Sequence, residues 1–161
     1  MNNAPASPLT TWRGSVQHEW VDFNGHLRDA FYMLLFSFAS DGCMDHIGLD
    51  EAGRAASGHS IFTLECHVNY LLEVKQGAAV EVHTQVLGAD AKRLHIFHSL
   101  HLAESEPVLA CSEQMWLNVD MHARRAAPFA AQVLARVEAL AAQHQSLPVS
   151  PYVGRVIRLP N

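Results

Sequence analysis

The segment Trp20-Val21-Asp22-Phe23-Asn24-Gly25-His26 runs directly into an apolar stretch with helical periodicity, so a carboxylate stands just ahead of a helix start. A helix start presents backbone N–H groups without intrahelical partners and the positive end of the macrodipole. Donors of that kind polarise a carbonyl oxygen, while a neighbouring Asp attacks the carbonyl carbon or activates water. One short segment thus holds both halves of an acyl-transfer site. The same residues also suit a plain turn: an Asp in an Asp-x-Asn-Gly context is more often an N-cap or turn residue than a catalyst, and Asn24 tolerates a left-handed backbone. From the residues alone, the turn is the better reading of Asp22.

The elements that must position this segment follow from hydrophobic periodicity. Leu27, Ala30, Phe31, Leu34, Leu35, Phe38 and Ala39 recur at i, i+3 and i+4, which predicts a long helix from about Leu27 to Ile47 with Gly48 as its stop. Tyr32, Met33 and Phe36 make the remaining faces apolar too, so the helix should be buried on several sides and something must wrap it. The wrapper is expected between His59 and Asp120, where period-two patches alternate with Gly, Asp and Pro turn signals. Ile61 to Leu72, Val80 to Val86, Leu94 to Leu102 and Val108 to Val119 are the patches, and Trp12 to Val16 adds a strand before the helix. Short connections imply antiparallel neighbours. An Ala-rich amphipathic helix over Phe129 to Gln145 should lie on an outer surface.

This order predicts an α+β domain over residues 11–145 in which a curled antiparallel sheet surrounds one helix. Residues 1–10 are expected to form a flexible N-terminal tail. Residues 146–161 form a C-terminal extension with three prolines and a short β-like run, Val153 to Leu159.

Composition narrows the function classes. With 161 residues and 49% hydrophobic positions the chain suits one compact domain, and a net charge of -5 without a Lys or Arg run argues against nucleic-acid partners. Nowhere are there eighteen consecutive apolar residues, so no membrane span and a cytoplasmic location are expected. Cys43, Cys66 and Cys111 form no C-x-x-C pair and read as reduced thiols. His95-x-x-His98-x-x-His101 resembles a metal site at first, yet on a strand the first and third side chains point one way and the second the other, so no metal is predicted.

The Asp22-x-x-Gly25-His26 phrase at the helix entry, followed by Tyr32, by Asn69-Tyr70-Leu71 with Glu73 and Gly77, and by Val119-Asp120 with Arg124-Arg125 and Pro128, resembles the hotdog-fold acyl-CoA thioesterases of the 4-hydroxybenzoyl-CoA type. Each phrase is weak alone, but their order and spacing span about Thr11 to Gln145. More narrowly, Glu19-Trp20-Val21-Asp22, Phe62-Thr63-Leu64-Glu65-Cys66-His67, Asp90 to His95 and Phe97-His98 are similar to the betainyl-CoA thioesterases of bacterial carnitine breakdown.

The resemblance implies a hotdog fold and an acyl-CoA substrate. It gives Asp22 the role of nucleophile or general base, with helix-start amides, that of Asp29 above all, holding the oxyanion, Gly25 permitting close backbone approach and His26 supporting the loop. It implies substrate contacts from Asn24, Trp20, Tyr32, Glu65, His67 and Tyr70, and coenzyme A phosphate contacts from Lys92 and Arg93. A quaternary cation on the acyl group would favour Glu65 and aromatic faces among Trp20, Phe23, Tyr32, Tyr70 and Trp116, although core packing is the commoner duty of each aromatic. No cofactor is implied, since coenzyme A is part of the substrate. A homodimer or homotetramer is implied, with Glu65, His67 and Tyr70 serving the partner's Asp22. Two rival functions remain on the residues: a hydratase or dehydratase on acyl-CoA or acyl carrier protein, and a non-catalytic acyl-CoA-binding module.

Overall fold

A computed structural model describes residues 6–160. The strand β1 (Leu9–Ser15) leads through a 3₁₀ turn, His18–Trp20, into helix α1 (Asp29–Ile47) and a short helix α2 (Glu51–Ser57). Strands β2 (His59–Tyr70), β3 (Ala79–Ala89), β4 (Arg93–Leu102), β5 (Val108–Asp120) and the two-residue β6 (Arg125–Ala126) follow, then helix α3 (Ala131–His144). All strand pairs are antiparallel, in the order β1-β3-β4-β5-β2 with β6 added on β5. The sheet and its central helix make the hotdog architecture that the motif order implies.

Alternation along the strands explains why the helix seats where it does. Leu94, Ile96, His98 and Leu100 of β4 and Ala110, Ser112, Gln114 and Trp116 of β5 are buried on one face, against Leu35, Phe36, Ala39, Cys43 and Ile47 of α1. The phase of α1 differs from the one read off the sequence. Its buried residues are Tyr32, Leu35, Phe36, Ala39, Cys43, Met44 and Ile47, whereas Ala30 is exposed and Leu34 and Phe38 are half-buried. Apolar residues all round the helix leave its rotation undetermined until a sheet is laid against it.

Three further differences from expectation have local causes. Strand β1 begins at Leu9, which pairs with Thr84, so the last residues of the expected tail belong to the sheet; residues 1–5 of that tail lie outside the described ones. Helix α2 is absent from the periodicity pattern because Glu51 to Ser57 is short and contains Gly53, yet its ends are marked: Asp50 Oδ1 accepts the Gly53 amide at 2.7 Å, and Gly58 closes it at φ 70°. Val153 to Leu159 forms no strand; the segment turns at Pro151 to Gly154 and leaves Val156, Ile157 and Leu159 exposed. No helix among the described residues is long and apolar enough to cross a membrane.

His98 interrupts the apolar row beneath α1 with a hydrogen-bonded chain. Its Nδ1 lies 2.8 Å from Thr84 Oγ1, which lies 2.7 Å from Thr11 Oγ1, and its Nε2 lies 3.2 Å from Ser40 Oγ, itself a donor to the Phe36 carbonyl. The ring stacks on Phe36 at 5.8 Å, so β1, β3, β4 and α1 meet at one side chain. Burial pushes the imidazole down to about 3, because a charged ring there would have no water and no carboxylate.

Acid stability follows from that site. The unfolded chain protonates His98 near the usual value of about 6.5 while the folded chain resists, so stability from this group is fully present above that pH and is lost as pH falls toward about 3. Denaturant unfolding between pH 6 and 4 should lose up to about 1.4 kcal/mol per pH unit through this group. H98L should show a shallower slope, with the residue from His101 and His144, whose values burial also lowers.

Candidate active site

The chain from Asp22 to Gly25 closes a tight turn, with the Gly25 amide donating to the Asp22 carbonyl at 3.0 Å and Gly25 in the left-handed region at φ 75°. Asp22 Oδ1 accepts two amides across it, from Asn24 at 2.8 Å and His26 at 3.1 Å, and the Asp22 amide donates to the His26 carbonyl at 2.9 Å. The turn is in turn sewn to the stretch before β3: Leu27 donates to the Val74 carbonyl at 2.8 Å and Gln76 to the Gly25 carbonyl at 3.0 Å. His26 Nδ1 sits 3.2 Å from Glu73 Oε2. The turn role of Asp22 is thus present in full, and it leaves Oδ2 without a hydrogen-bond partner among the described residues.

These contacts set the charge state. The His26 amide, opposed in part by burial and helped by the Asn24 amide, holds the Asp22 carboxyl below its ordinary value. An anionic carboxylate of low basicity stands at the helix mouth across the whole physiological range.

The first turn of α1 offers one open donor. Arg28, the N-cap, gives its amide to the Trp20 carbonyl at 3.0 Å; Ala30 gives its own to Asp29 Oδ1 at 2.9 Å; Phe31 gives its own to the Arg28 carbonyl at 3.0 Å. Among the described residues the Asp29 amide has no acceptor, which leaves it available to an incoming oxygen. Tyr70 borders the same mouth: its hydroxyl donates to the Asp29 carbonyl at 3.2 Å, and its ring meets Tyr32 edge-on at 5.1 Å. Burial, with the Asp29 carboxylate, pushes the Tyr70 phenol up, so it remains a donor.

The other sequence-selected residues fall elsewhere. Trp20 stacks on Phe31 at 6.3 Å and packs against the core, and Tyr32 is buried with its hydroxyl donated to the Leu72 carbonyl, so both build the mouth instead of lining it. Glu65 and His67 are not brought to Asp22. A bulge at Leu64 sets the register, and cross-strand pairing of Cys66 with Gln114 and Tyr70 with Ala110 puts those residues on the helix side, while Glu65 and His67 pair with Met115 and Glu113 on the opposite face. There they line a cavity of about 210 Å³ with His95, Glu113 and Arg155, where the C-terminal extension is tacked down by the Gly154 amide on Glu113 at 2.6 Å.

Lys92 and Arg93 stand at the far end of the sheet. Asp90 Oδ1 accepts both their amides and Asp90 Oδ2 takes the Arg93 guanidinium at 2.7 Å, which together hold Asp90 down to about 2. The Arg93 charge is therefore already engaged, while Lys92 is exposed. The ten residues of β4 separate this hairpin from the Asp22 end by roughly 30 Å, at about 3.3 Å per residue. Glu73 is the residue that sequence reasoning left without a role; its place in the motif after Tyr70 was visible, but only the fold shows it against His26. No group of three His, Cys, Asp or Glu among the described residues is placed to hold a metal ion.

The sequence profile of the thioesterase-like superfamily matches residues 16–137, which takes in the turn, α1 and the whole sheet from β2 to β6. The chain belongs to that superfamily. The thioesterase is 63% identical over 152 residues to a betainyl-CoA thioesterase of Pseudomonas aeruginosa, covering 94% of this chain and 96% of that one. A candidate thioesterase from Pseudomonas putida has a crystal structure that superposes with a TM-score of 0.83 at 49% identity, covering 96% of this chain and 99% of that one. A hypothetical protein of Staphylococcus aureus, solved in complex with CoA, superposes at 0.89 with 26% identity over 99% of this chain and 100% of that one.

The lowered carboxyl of the thioesterase has a kinetic consequence. Asp22 ionises below the ordinary value near 3.8, so kcat/KM, which reports the free enzyme, should stay level as pH falls to about 4 and decline through this group only below that. A pH–rate profile checks this, and an acid limb above pH 5 that D22E displaces would contradict it.

Proposed function

We propose that this thioesterase hydrolyses betainyl-CoA to betaine and free coenzyme A, with Asp22 as nucleophile and the Asp29 amide as principal oxyanion donor. The observation that carries the chemistry is the pairing of a half-engaged carboxylate with an open amide at one helix mouth. The substrate is inferred from the relative at 63% identity, and a second relative at 38%, from Rhizobium meliloti, is named L-carnitine dehydrogenase/betainyl-CoA thioesterase, of which this chain spans 30%.

Asp22 Oδ2 attacks the thioester carbonyl carbon, and the oxyanion that forms is met by the Asp29 N–H. Collapse breaks the C–S bond, coenzyme A leaves as the thiolate and takes a proton from solvent, and an aspartyl–acyl anhydride remains. Water then cleaves the anhydride, which releases the carboxylate product and restores Asp22. Proton abstraction by Asp22 is the alternative, and the low basicity of the carboxylate weighs toward direct attack. Single turnover in labelled water separates the routes, because only the anhydride can pass label into Asp22. Gly25 and His26 keep the turn in place, Asn24 fastens the carboxylate, and Tyr70 fastens the helix mouth.

The functional unit in this reading is a dimer paired along β2, an assembly from which a tetramer can also be built. Strand β2 is a twelve-residue sheet edge with Phe62 and Leu64 exposed on it. Two-fold antiparallel pairing of that edge would bring the Lys92 end of one chain to the Asp22 end of the other, which one chain alone keeps at opposite ends. Lys92 then meets the coenzyme A phosphates in trans.

Two outcomes test this. D22N should fold and bind coenzyme A yet lose kcat by about a thousandfold or more, and near-normal turnover would refute the role. Coexpressed D22N and K92A subunits should regain low-KM activity, since a mixed dimer holds one site with both native residues; recovery of only the raised KM of K92A would place Lys92 in cis or outside the site.

A further inference from the structure

The aromatic residues around the helix mouth are almost all engaged. Trp20 stacks on Phe31 and lies tilted against Phe38, Tyr32 is 4% exposed, and Tyr70 is pinned by its hydroxyl to the Asp29 carbonyl. Phe23 is the exception at 94% exposure. It occupies an inner position of the turn whose geometry is made by its neighbours, through the Asp22 carboxylate, the Asn24 and His26 amides and the left-handed Gly25. Nothing in the turn calls for a phenyl ring there, since this position of a common turn accepts most residues. The ring adds no burial to either core cluster.

We infer that Phe23 is the aromatic face that receives the quaternary ammonium of the acyl group and so sets a preference for a cationic over a neutral substrate. The inference rests on the betainyl-CoA reading above and adds to it the residue that distinguishes charge. In a betainyl thioester the nitrogen is two bonds from the carbonyl carbon, about 2.5 Å away. With that carbon at attack distance from Asp22, about 3–3.5 Å, the ammonium is held within a few ångströms of the turn that carries Phe23. Consecutive Cα atoms are about 3.8 Å apart and the Phe23 side chain, 94% exposed, is not held by packing, so its ring can turn to within the about 6 Å of a centroid at which a cation is attracted. A trimethylammonium cannot donate a hydrogen bond, and its recognition falls to an aromatic face and to the local field. The mouth carries the carboxylates of Asp22, Asp29 and Glu73 together with the cations of Arg28 and Lys75 and the imidazole of His26. Arg28 is turned to the Val21 carbonyl and His26 to Glu73, so neither claims the ring.

The test compares betainyl-CoA with 3,3-dimethylbutanoyl-CoA, a neutral isostere with carbon in place of nitrogen, in wild type, F23L and F23W. The ratio of kcat/KM values, cation over isostere, should fall about tenfold in F23L and hold in F23W, while isostere turnover changes by less than about twofold. Trifluorophenylalanine at the same position, which keeps shape and weakens the ring quadrupole, should lower the ratio as F23L does. If wild type prefers betainyl-CoA and F23L leaves the ratio unchanged, or lowers both substrates alike, the assignment of Phe23 is overturned while the substrate reading survives. If wild type shows no preference for the cation, the substrate reading itself falls, and this inference with it.

Discussion

Two amides converge on one oxygen of Asp22, and the architecture of the helix mouth depends on that pair of hydrogen bonds. They close the turn, aim the chain into α1 and keep the carboxyl ionised, so one side chain does structural and electrostatic work together. The backbone bonds from Leu27 to Val74 and from Gln76 to Gly25 then fix the turn to the sheet's end. Without that stitching the helix could start in place while its carboxylate swung clear of the open Asp29 amide. Turn and catalyst are therefore not competing descriptions of Asp22: the carboxylate has two oxygens, and the turn occupies only one.

The sheet imposes the second constraint. Residues that alternate along a strand are sent to opposite faces, and the bulge at Leu64 shifts that alternation within β2. Tyr70 consequently faces α1 and joins the mouth, while Glu65 and His67, only a few residues earlier, face away. The long strands also hold the Asp22 and Lys92 ends apart, which no rearrangement of side chains within one chain can undo. Strand β2 runs from one of these ends to the other and, among the described residues, is an edge of the sheet.

Much of the fold was legible because period-two alternation and turn residues mark antiparallel strands strongly. The sheet patches, the long helix with its Gly48 stop at φ 89° and the Ala-rich final helix all appear within a few residues of their expected bounds. The rotation of α1 was not legible, since its apolar residues surround it. Helix α2 was not legible although Asp50 and Gly58 cap it, because seven residues carry too little periodicity to outweigh an internal Gly. Glu73 was visible only as part of a motif, and its contact with His26 joins segments nearly fifty residues apart.

By itself the sequence determined the superfamily, the order of elements and the position of a carboxylate before a helix, because these depend on local pattern and on motif order. Tertiary structure alone decided which amide of α1 is open, that Glu65 and His67 face away from the mouth, and that Phe23 stands in solvent. Each of those depends on register, on a bulge or on competition among distant partners for a single hydrogen bond. Such terms are settled by packing between segments remote in the chain, where local propensity carries no information.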